Sequence, residues 1–377
     1  MARLERQLSS AGIELVSENE ASAVPQLLVL NADYLFEIRT ITALAKHSHA
    51  VLRASGENTQ SRVAAAIGHG EQLDTLRALV TGSGESATGY EALTTQDLDA
   101  YERNLRKSAP PILEPVSDER RGALESQLYG NAYKGITDLV TKWWWPRPAR
   151  VIVGYCARNG ISPNAVTLTG LVLVIAACVL FWNGWYLSGL ACGWVMTLLD
   201  TVDGKLARVT VQSSRVGHVL DHGMDIIHPP FWYVFWGLSL DAGTAFFGVS
   251  VQAACWWVVA GYVGGRIVEG LFHSIADCGM FAWRPFDAWF RLITARRNPC
   301  LIILTLPALL GQAEIAFAGV VIWTVLTTVI LMIRLIWATA LRMRYGRLDS
   351  WLKDGEQAAR RWPRSYAEFA GTRSAYR

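Results

Sequence analysis

The stretch Leu198–Asp225, LLDTVDGKLARVTVQSSRVGHVLDHGMD, decides how this chain is read. It holds four aspartates, yet it lies between two long apolar runs. From Asn159 to Leu199 there is no charged residue, and from Ile226 to Gly265 there is only Asp241. One membrane crossing takes about 20 apolar residues, so each run is long enough for two. Polar breaks divide them, WNGW at 182–185 and LDAGT at 240–244. A third run, Asn298–Ile333, contains only Glu314, beside a GQAE break. Three helical hairpins, hence six transmembrane helices, are expected over 163–345.

Composition points the same way. Hydrophobic residues make up 51% of the 377, with 16 tryptophans, and the mean hydropathy is +0.22. This is too apolar for an ordinary soluble chain. The net charge of +3 gives no argument for nucleic acid as a partner. The six cysteines form no CxxC pair and read as small apolar residues. The polar start MARLERQLSS is not a cleavable signal.

Charge sets the orientation. The three breaks lack Lys and Arg. The opposite ends carry Lys205, Arg208, Arg215, Arg266, Arg284, Arg291, Arg296, Arg297, Arg342, Arg344 and Arg347. The positive-inside bias predicts a multi-pass protein of the inner (cytoplasmic) membrane, with both termini and the aspartates on the cytoplasmic side. Residues 131–162 are expected to be a linker and an interfacial amphipathic helix, since TKWWWPRPARVIVGYCARNG mixes tryptophans with spaced cations. Residues 1–130, with polar loops and no long apolar run, predict a small cytosolic α/β domain. Residues 346–377 read as a cytosolic tail.

Helical phase then organises the acids. Asp200 and Asp203 share one helix face, and so do Asp221 and Asp225 on the next, antiparallel span. Four converging carboxylates repel unless cations neutralise them. Oxygen donors suit Mg²⁺ or Mn²⁺. Gly204 and Gly217 clear space on the facing helices, Ala207 is small, and Arg208 can pair with phosphate. Metals, an arginine and small residues together suit cleavage of a pyrophosphate.

The pattern Asp200-x-x-Asp203-Gly204-x-x-Ala207-Arg208, eight residues, then Gly217-x-x-x-Asp221-x-x-x-Asp225, resembles the signature of the CDP-alcohol phosphatidyltransferase family at every position. The segment ISPNAVTLTG at 161–170 resembles the opening of that family's first span, where Asn164 and Thr167 face the site. The resemblance implies a usually dimeric, six-span enzyme of phospholipid biosynthesis. It displaces CMP from a CDP-linked lipid or alcohol donor by an alcohol or phosphorylated alcohol acceptor. It also implies metal ligation by Asp200, Asp203, Asp221 and Asp225, with Asp225 the general base and two ions in the site. Gly204, Ala207, Arg208 and Gly217 would line the CMP site. His218 and His222 flank the same helix as alternative bases. Arg266 and Arg334, the deepest of the basic residues, are expected to bind the acceptor.

A non-catalytic scaffold or a divalent-cation transporter is the alternative. Transport predicts acids spread along a path, whereas these four share one depth, which favours the enzyme. In the N-terminal region, LERQLSSAGIELV and LLVLNADYLFEIRTITAL resemble the start of a sugar-phosphate nucleotidyltransferase, with Asp33 at the strand end. The Gly-rich loop that such an enzyme needs for its triphosphate is not found ahead of Leu4. A degenerate domain that scaffolds or regulates is expected.

Overall fold

The computed structural model describes residues 2–54, 62–83, 87–99, 101–212, 215–246 and 248–371, without the side chains of residues 215, 216 and 218–222. The chain divides into two compact units: Met1–Glu102 with Ser108–Asn131, and Arg103–Lys107 with Ala132–Tyr376.

In the first unit, strands β1 (Leu27–Leu30), β2 (Ala50–Arg53), β3 (Val63–Gly68) and β4 (Glu91–Leu93) form a sheet in the order β1-β3-β2-β4. β3 is antiparallel to both neighbours, while β4 is parallel to β2. Side chains alternate between the two faces of a strand, and here both faces are covered. Ala50, Leu52, Ala65 and Ile67 pack with Phe36 and with Ile41 and Leu44 of helix α1 (Ile38–Leu44). Val51 and Ala66 pack on the other side with Leu76, Leu79 and Val80 of helix α2 (Leu73–Thr81). Asp33 is exposed between two strands, where its amide donates to Asn31 Oδ1 at 2.9 Å.

The second unit is helical. A π-helical turn, Val140–Trp144, leads into α3 (Pro146–Arg158), which buries Ala149, Val153 and Cys156 and exposes Val151 and Tyr155. Six further helices carry the bundle: α4 (Pro163–Trp182), α5 (Tyr186–Thr210), α6 (Arg215–Leu238), α7 (Val251–Ile275), α9 (Arg297–Leu309) and α10 (Ala313–Tyr345). A short helix, α8 (Pro285–Ile293), separates α7 from α9. α4 opens where Ser162 accepts from the Ala165 amide at 3.2 Å and Pro163 takes the first helical position. The breaks read from sequence are the turns between helices. Gly184 (φ 71°) and Gly311 (φ 72°) supply the left-handed residues there. α5 ends at Val211, whose φ of 54° is uncommon for a β-branched residue.

α4 packs on α5 and α6, α7 on α6 and α10, and α9 on α5 and α10. Phe181, Trp232, Trp236, Leu301 and Phe317 centre the core. Among the described residues two helices, α4 and α10, are long and apolar enough to cross a membrane by length and composition. α5, α6 and α7 are 25, 24 and 25 residues long but carry the site's charges at their ends, and α9 has only 13 residues. The outer face of α10 exposes Ile315, Ile322, Leu326, Val329, Ile333 and Ile336 as one apolar stripe. All six cysteines are free.

Arg334 lies in this framework rather than beside the aspartates. Its guanidinium grips Asp287 of α8 through two bonds, 2.6 and 2.7 Å. Trp283 and Trp337 rings stand 4.6 and 4.5 Å from it. Both charges are buried, so this pair ties α8 to α10, and the expected acceptor role of Arg334 gives way to a structural one.

The segment ahead of α3 is locked by close backbone packing. A Cβ at Gly135 would lie 2.2 Å from the Phe369 carbonyl oxygen and 2.6 Å from that of Arg106. Backbone cannot yield as a flexible side chain does. Gly135→Ala should therefore lower the thermal unfolding midpoint of the solubilised protein markedly. Gly122→Ala, which meets nothing within 4 Å, should leave it unchanged or raise it slightly. Equal midpoints for the two variants would refute the packing described.

Candidate active site

The aspartates stand where two helices of the bundle meet a third. Asp200 and Asp203 lie on α5 and Asp225 on α6. Both Asp200 and Asp225 face one guanidinium, that of Arg297 at the start of α9. Nη2 donates to Asp200 Oδ2 at 2.5 Å, and Nη1 to Asp225 Oδ1 at 2.6 Å. Asp203 is buried and accepts from Thr167 Oγ1 of α4 at 2.7 Å. The structure thus brings together Asp200, Asp225 and Arg297, and joins Thr167 to Asp203. The side chains of Asp221, His218 and His222 lie outside the described residues, while the backbone of this stretch is helical.

Asp225 is held through its backbone as well. Pro229 has no N–H, so the carbonyl of residue 225 loses its helical partner. The Tyr262 hydroxyl of α7 donates to that carbonyl at 3.2 Å. A proline four residues after a candidate catalytic acid is a signal that sequence reading can use. The identity of the donor that replaces the lost bond is not written locally.

The glycine and arginine of the signature act as a pair. A Cβ at Gly204 would sit 3.1 Å from Arg208 Nη2, so the missing side chain lets the guanidinium lie across the helix face. Arg208 Nε also donates to the Ala132 carbonyl at 2.8 Å, a bond shared with Lys205 Nζ at 3.2 Å. Lys205 is buried, with its ammonium 3.6 Å from the Tyr133 ring centroid. Ala207 and Gly217 are half-buried, and Asn164 is exposed one turn before Thr167.

Further anchors surround Arg297. The next residue, Asn298, donates Nδ2 to Asp138 Oδ1 at 2.9 Å. Asp138 also caps the π-helical turn through the Thr141 amide and hydroxyl, both 2.9 Å. Arg266 pairs with Glu269 at 3.1 Å, and Arg296 binds the same carboxylate. Sequence reading placed Arg297 only among the basic residues of this side. Its arrival between two aspartates depends on how α9 docks.

Carboxylate oxygens are the donors a hard divalent ion takes, and Asp200 and Asp225 already share one cation, but among the described residues no group of three or more acidic, histidine or cysteine side chains is placed to hold an ion. The bundle gathers these acids beside arginines and a cleared helix face. Residues 160–343 match the model of the family CDP-alcohol phosphatidyltransferase. Members use divalent metal cations. Cholinephosphotransferase 1 of Gallus gallus is 30% identical over 154 residues, covering 36% of this chain and 43% of that protein. Phosphatidylinositol phosphate synthase of Mycobacterium marinum is 35% identical over 88 residues, covering 22% of this chain and 38% of its own length. Human cholinephosphotransferase 1 is 27% identical over 178 residues, 42% of each chain. The chain therefore spans less than half the length of these relatives.

If the guanidinium of Arg297 and a divalent ion neutralise the same two carboxylates, removing one should increase dependence on the other. In Arg297→Gln, Mg²⁺ should raise the unfolding midpoint by more than it does in the native protein. An equal or smaller gain would show that ion and guanidinium act at separate places.

Proposed function

We propose that this chain is a membrane transferase that displaces CMP from a CDP-linked donor, CDP-diacylglycerol or another CDP-alcohol, by an alcohol acceptor, and so makes a phosphodiester for phospholipid biosynthesis. The observation that carries it is the meeting of Asp200 and Asp225, from the consecutive helices α5 and α6, on one cation. In this reading Asp200, Asp203, Asp221 and Asp225 hold two ions, Mg²⁺ or Mn²⁺. When bound, these neutralise the diphosphate and favour departure of CMP. Gly204, Ala207, Arg208, Gly217, Asn164 and Thr167 line the CMP site, and Thr167 orients Asp203 by its hydrogen bond.

Asp225 is the general base. Its side chain is 43% exposed, against 17% for Asp200, so an entering alcohol can reach it. A carboxylate oxygen of Asp225 takes the hydroxyl proton as the alcohol oxygen bonds to phosphorus. The bond from that phosphorus to the CMP oxygen breaks, and CMP leaves with the electron pair. Tyr262 steadies the backbone beneath this carboxylate. Arg266 lies on the acceptor side, balanced by Glu269.

The same reading takes the six helices as six spans, with α3 at the interface and both termini on the cytoplasmic face of the inner membrane. The apolar stripe on α10 supports it, because a face of this kind needs lipid or protein to cover it. Two copies associate, as the family resemblance implies. The domain at 1–130, here a degenerate nucleotidyltransferase-like unit, scaffolds or regulates.

The test is release of CMP from CDP-diacylglycerol by the full chain with a panel of alcohols. Chelator should abolish it, and Mg²⁺ or Mn²⁺ restore it. Asp225→Asn should keep donor binding but slow turnover by about 10²–10⁴, the usual contribution of a general base. Asp200→Asn should weaken donor and metal binding together. Near-normal turnover by Asp225→Asn would end the base assignment, and full activity in excess chelator would end the metal one.

A further inference from the structure

The stretch after α10, which reads as a tail in sequence, is bound along the second unit. The Asp277 amide donates to the Leu348 carbonyl at 2.9 Å, and Ser350 Oγ to the Ala282 carbonyl at 2.8 Å, which anchors its start between α7 and α8. Two short helices follow, α11 (Gly355–Arg361) and α12 (Pro363–Phe369). Trp289 of α8 meets α12 twice. Its Nε1 donates to Ser365 Oγ at 3.1 Å, and its ring stands edge-on to Phe369 with centroids 5.0 Å apart.

The end of α12 closes on Lys142. The Lys142 ammonium donates to the Glu368 carbonyl at 2.8 Å and to the Gly135 carbonyl at 3.0 Å. It also lies 3.6 Å from Glu368 Oε1 and 4.8 Å from the centroid of the Phe369 ring. Trp143 Nε1 donates to the same Glu368 oxygen at 3.3 Å. The lysine and glutamate side chains are only 8% and 9% exposed. An ammonium so enclosed needs such partners, and α12 supplies a carbonyl, a carboxylate and a ring.

The same turn faces the aspartates with other residues. Lys142 and Trp143 belong to the π-helical turn Val140–Trp144, which is closed by Trp145 N–H to the Val140 carbonyl at 3.0 Å. The Lys142 amide donates to the Asp138 carbonyl at 2.9 Å. Asp138 and Thr141 receive Asn298 Nδ2 at 2.9 and 3.1 Å. Asn298 follows Arg297, which bridges Asp200 and Asp225. So Lys142 holds α12 while its neighbour Thr141 holds the start of α9. That start needs outside partners. The first amides of a helix have no intrahelical acceptor, and among the described residues Arg296 at the N-cap makes no side-chain cap.

We propose that α12 is a strap that positions Arg297 between Asp200 and Asp225, acting through Lys142, the π-helical turn and the Asp138–Asn298 bond. Strap and turn both lie outside residues 160–343, so two flanking segments together steady the site within them. Glu368, Lys142, Asp138 and Asn298 are positioning residues. The effect on turnover rests on the transferase reading, whereas the mechanical link stands apart from it.

The test is hydrogen exchange by mass spectrometry on the full chain in nanodiscs. Lys142→Met keeps the length of the side chain and removes its donors. It should speed exchange about tenfold at 138–145, at 363–371 and at 297–301, the scale of losing one charged hydrogen bond. Asn298→Ala cuts the link beyond the turn, so it should speed 297–301 and leave 363–371 as in the native protein. Lys142→Arg, which keeps a charged donor, should recover most of the protection. Tyr186→Phe removes a bond to Ser239 elsewhere in the bundle and should leave 297–301 unchanged. Unfolding midpoints identify a variant that fails to fold, and Asn298→Ala, with the strap intact, is the second arm if Lys142→Met does.

Unchanged exchange at 297–301 in Lys142→Met and Asn298→Ala would overturn the proposal. In CMP release, Lys142→Met should lower kcat about tenfold to a hundredfold, the cost of a displacement of up to about 1 Å, with the donor KM within a few-fold of native. Native kcat despite faster exchange at 297–301 would end the positioning role and leave the transferase intact. Faster exchange in both variants, with no CMP release from any donor by the native protein, would keep the strap and remove the transferase reading.

Discussion

Carboxylates on adjacent helices of a bundle cannot approach one another unless positive charge lies between them. Here Arg297 supplies it, and much of the second unit follows from that demand. α9 must begin where α5 and α6 bring Asp200 and Asp225 together. Asn298 then fixes the start of α9 to Asp138 in the segment before α3. Tyr262 on α7 secures the backbone of Asp225 from another side. Four helices and one upstream segment thus meet at a single ionic contact. A guanidinium is well suited to the task, since its planar fork can meet two carboxylates with separate nitrogens.

The arginines of this unit divide by what they face. Arg334 is enclosed with Asp287 among aromatic rings and ties α8 to α10. Arg266 and Arg296 share Glu269. Removing one partner from an enclosed pair leaves a buried charge exposed to the low dielectric.

Helix existence and position were largely legible in the sequence, because uninterrupted apolar runs punctuated by glycine have few other solutions. Ser162-Pro163 marked the start of α4, and Gly184 and Gly311 marked the turns. Helical phase put Asp200 with Asp203 and Asp221 with Asp225 on faces able to meet, but not the sharing of one guanidinium by Asp200 and Asp225. The partner of each cation was not legible. Arg297 and Arg334 are both arginines near helix ends, and only docking of α9 and α8 assigns one to the aspartates and the other to Asp287. The length of α9 was also missed, since an apolar run shows where helix is permitted but not where a turn of Pro307–Gln312 will close it. In the first unit an α/β domain was readable, but the mixed strand directions depend on contacts far apart in sequence.

The shortness of α9 bears on the bilayer around it. At about 1.5 Å per residue, its 13 residues rise roughly 20 Å, some 10 Å less than a typical hydrocarbon core. On the six-span reading, a helix whose Gly311 end reaches the far headgroups would hold Arg297 well below the near ones. Lipid next to α9 would then thin, and headgroups would be drawn down toward the carboxylates. A lipid-linked diphosphate could reach Asp200 and Asp225 by following that depression, with its acyl chains still in the membrane. The short helix would in this way convert a mismatch in thickness into an entry route for substrate.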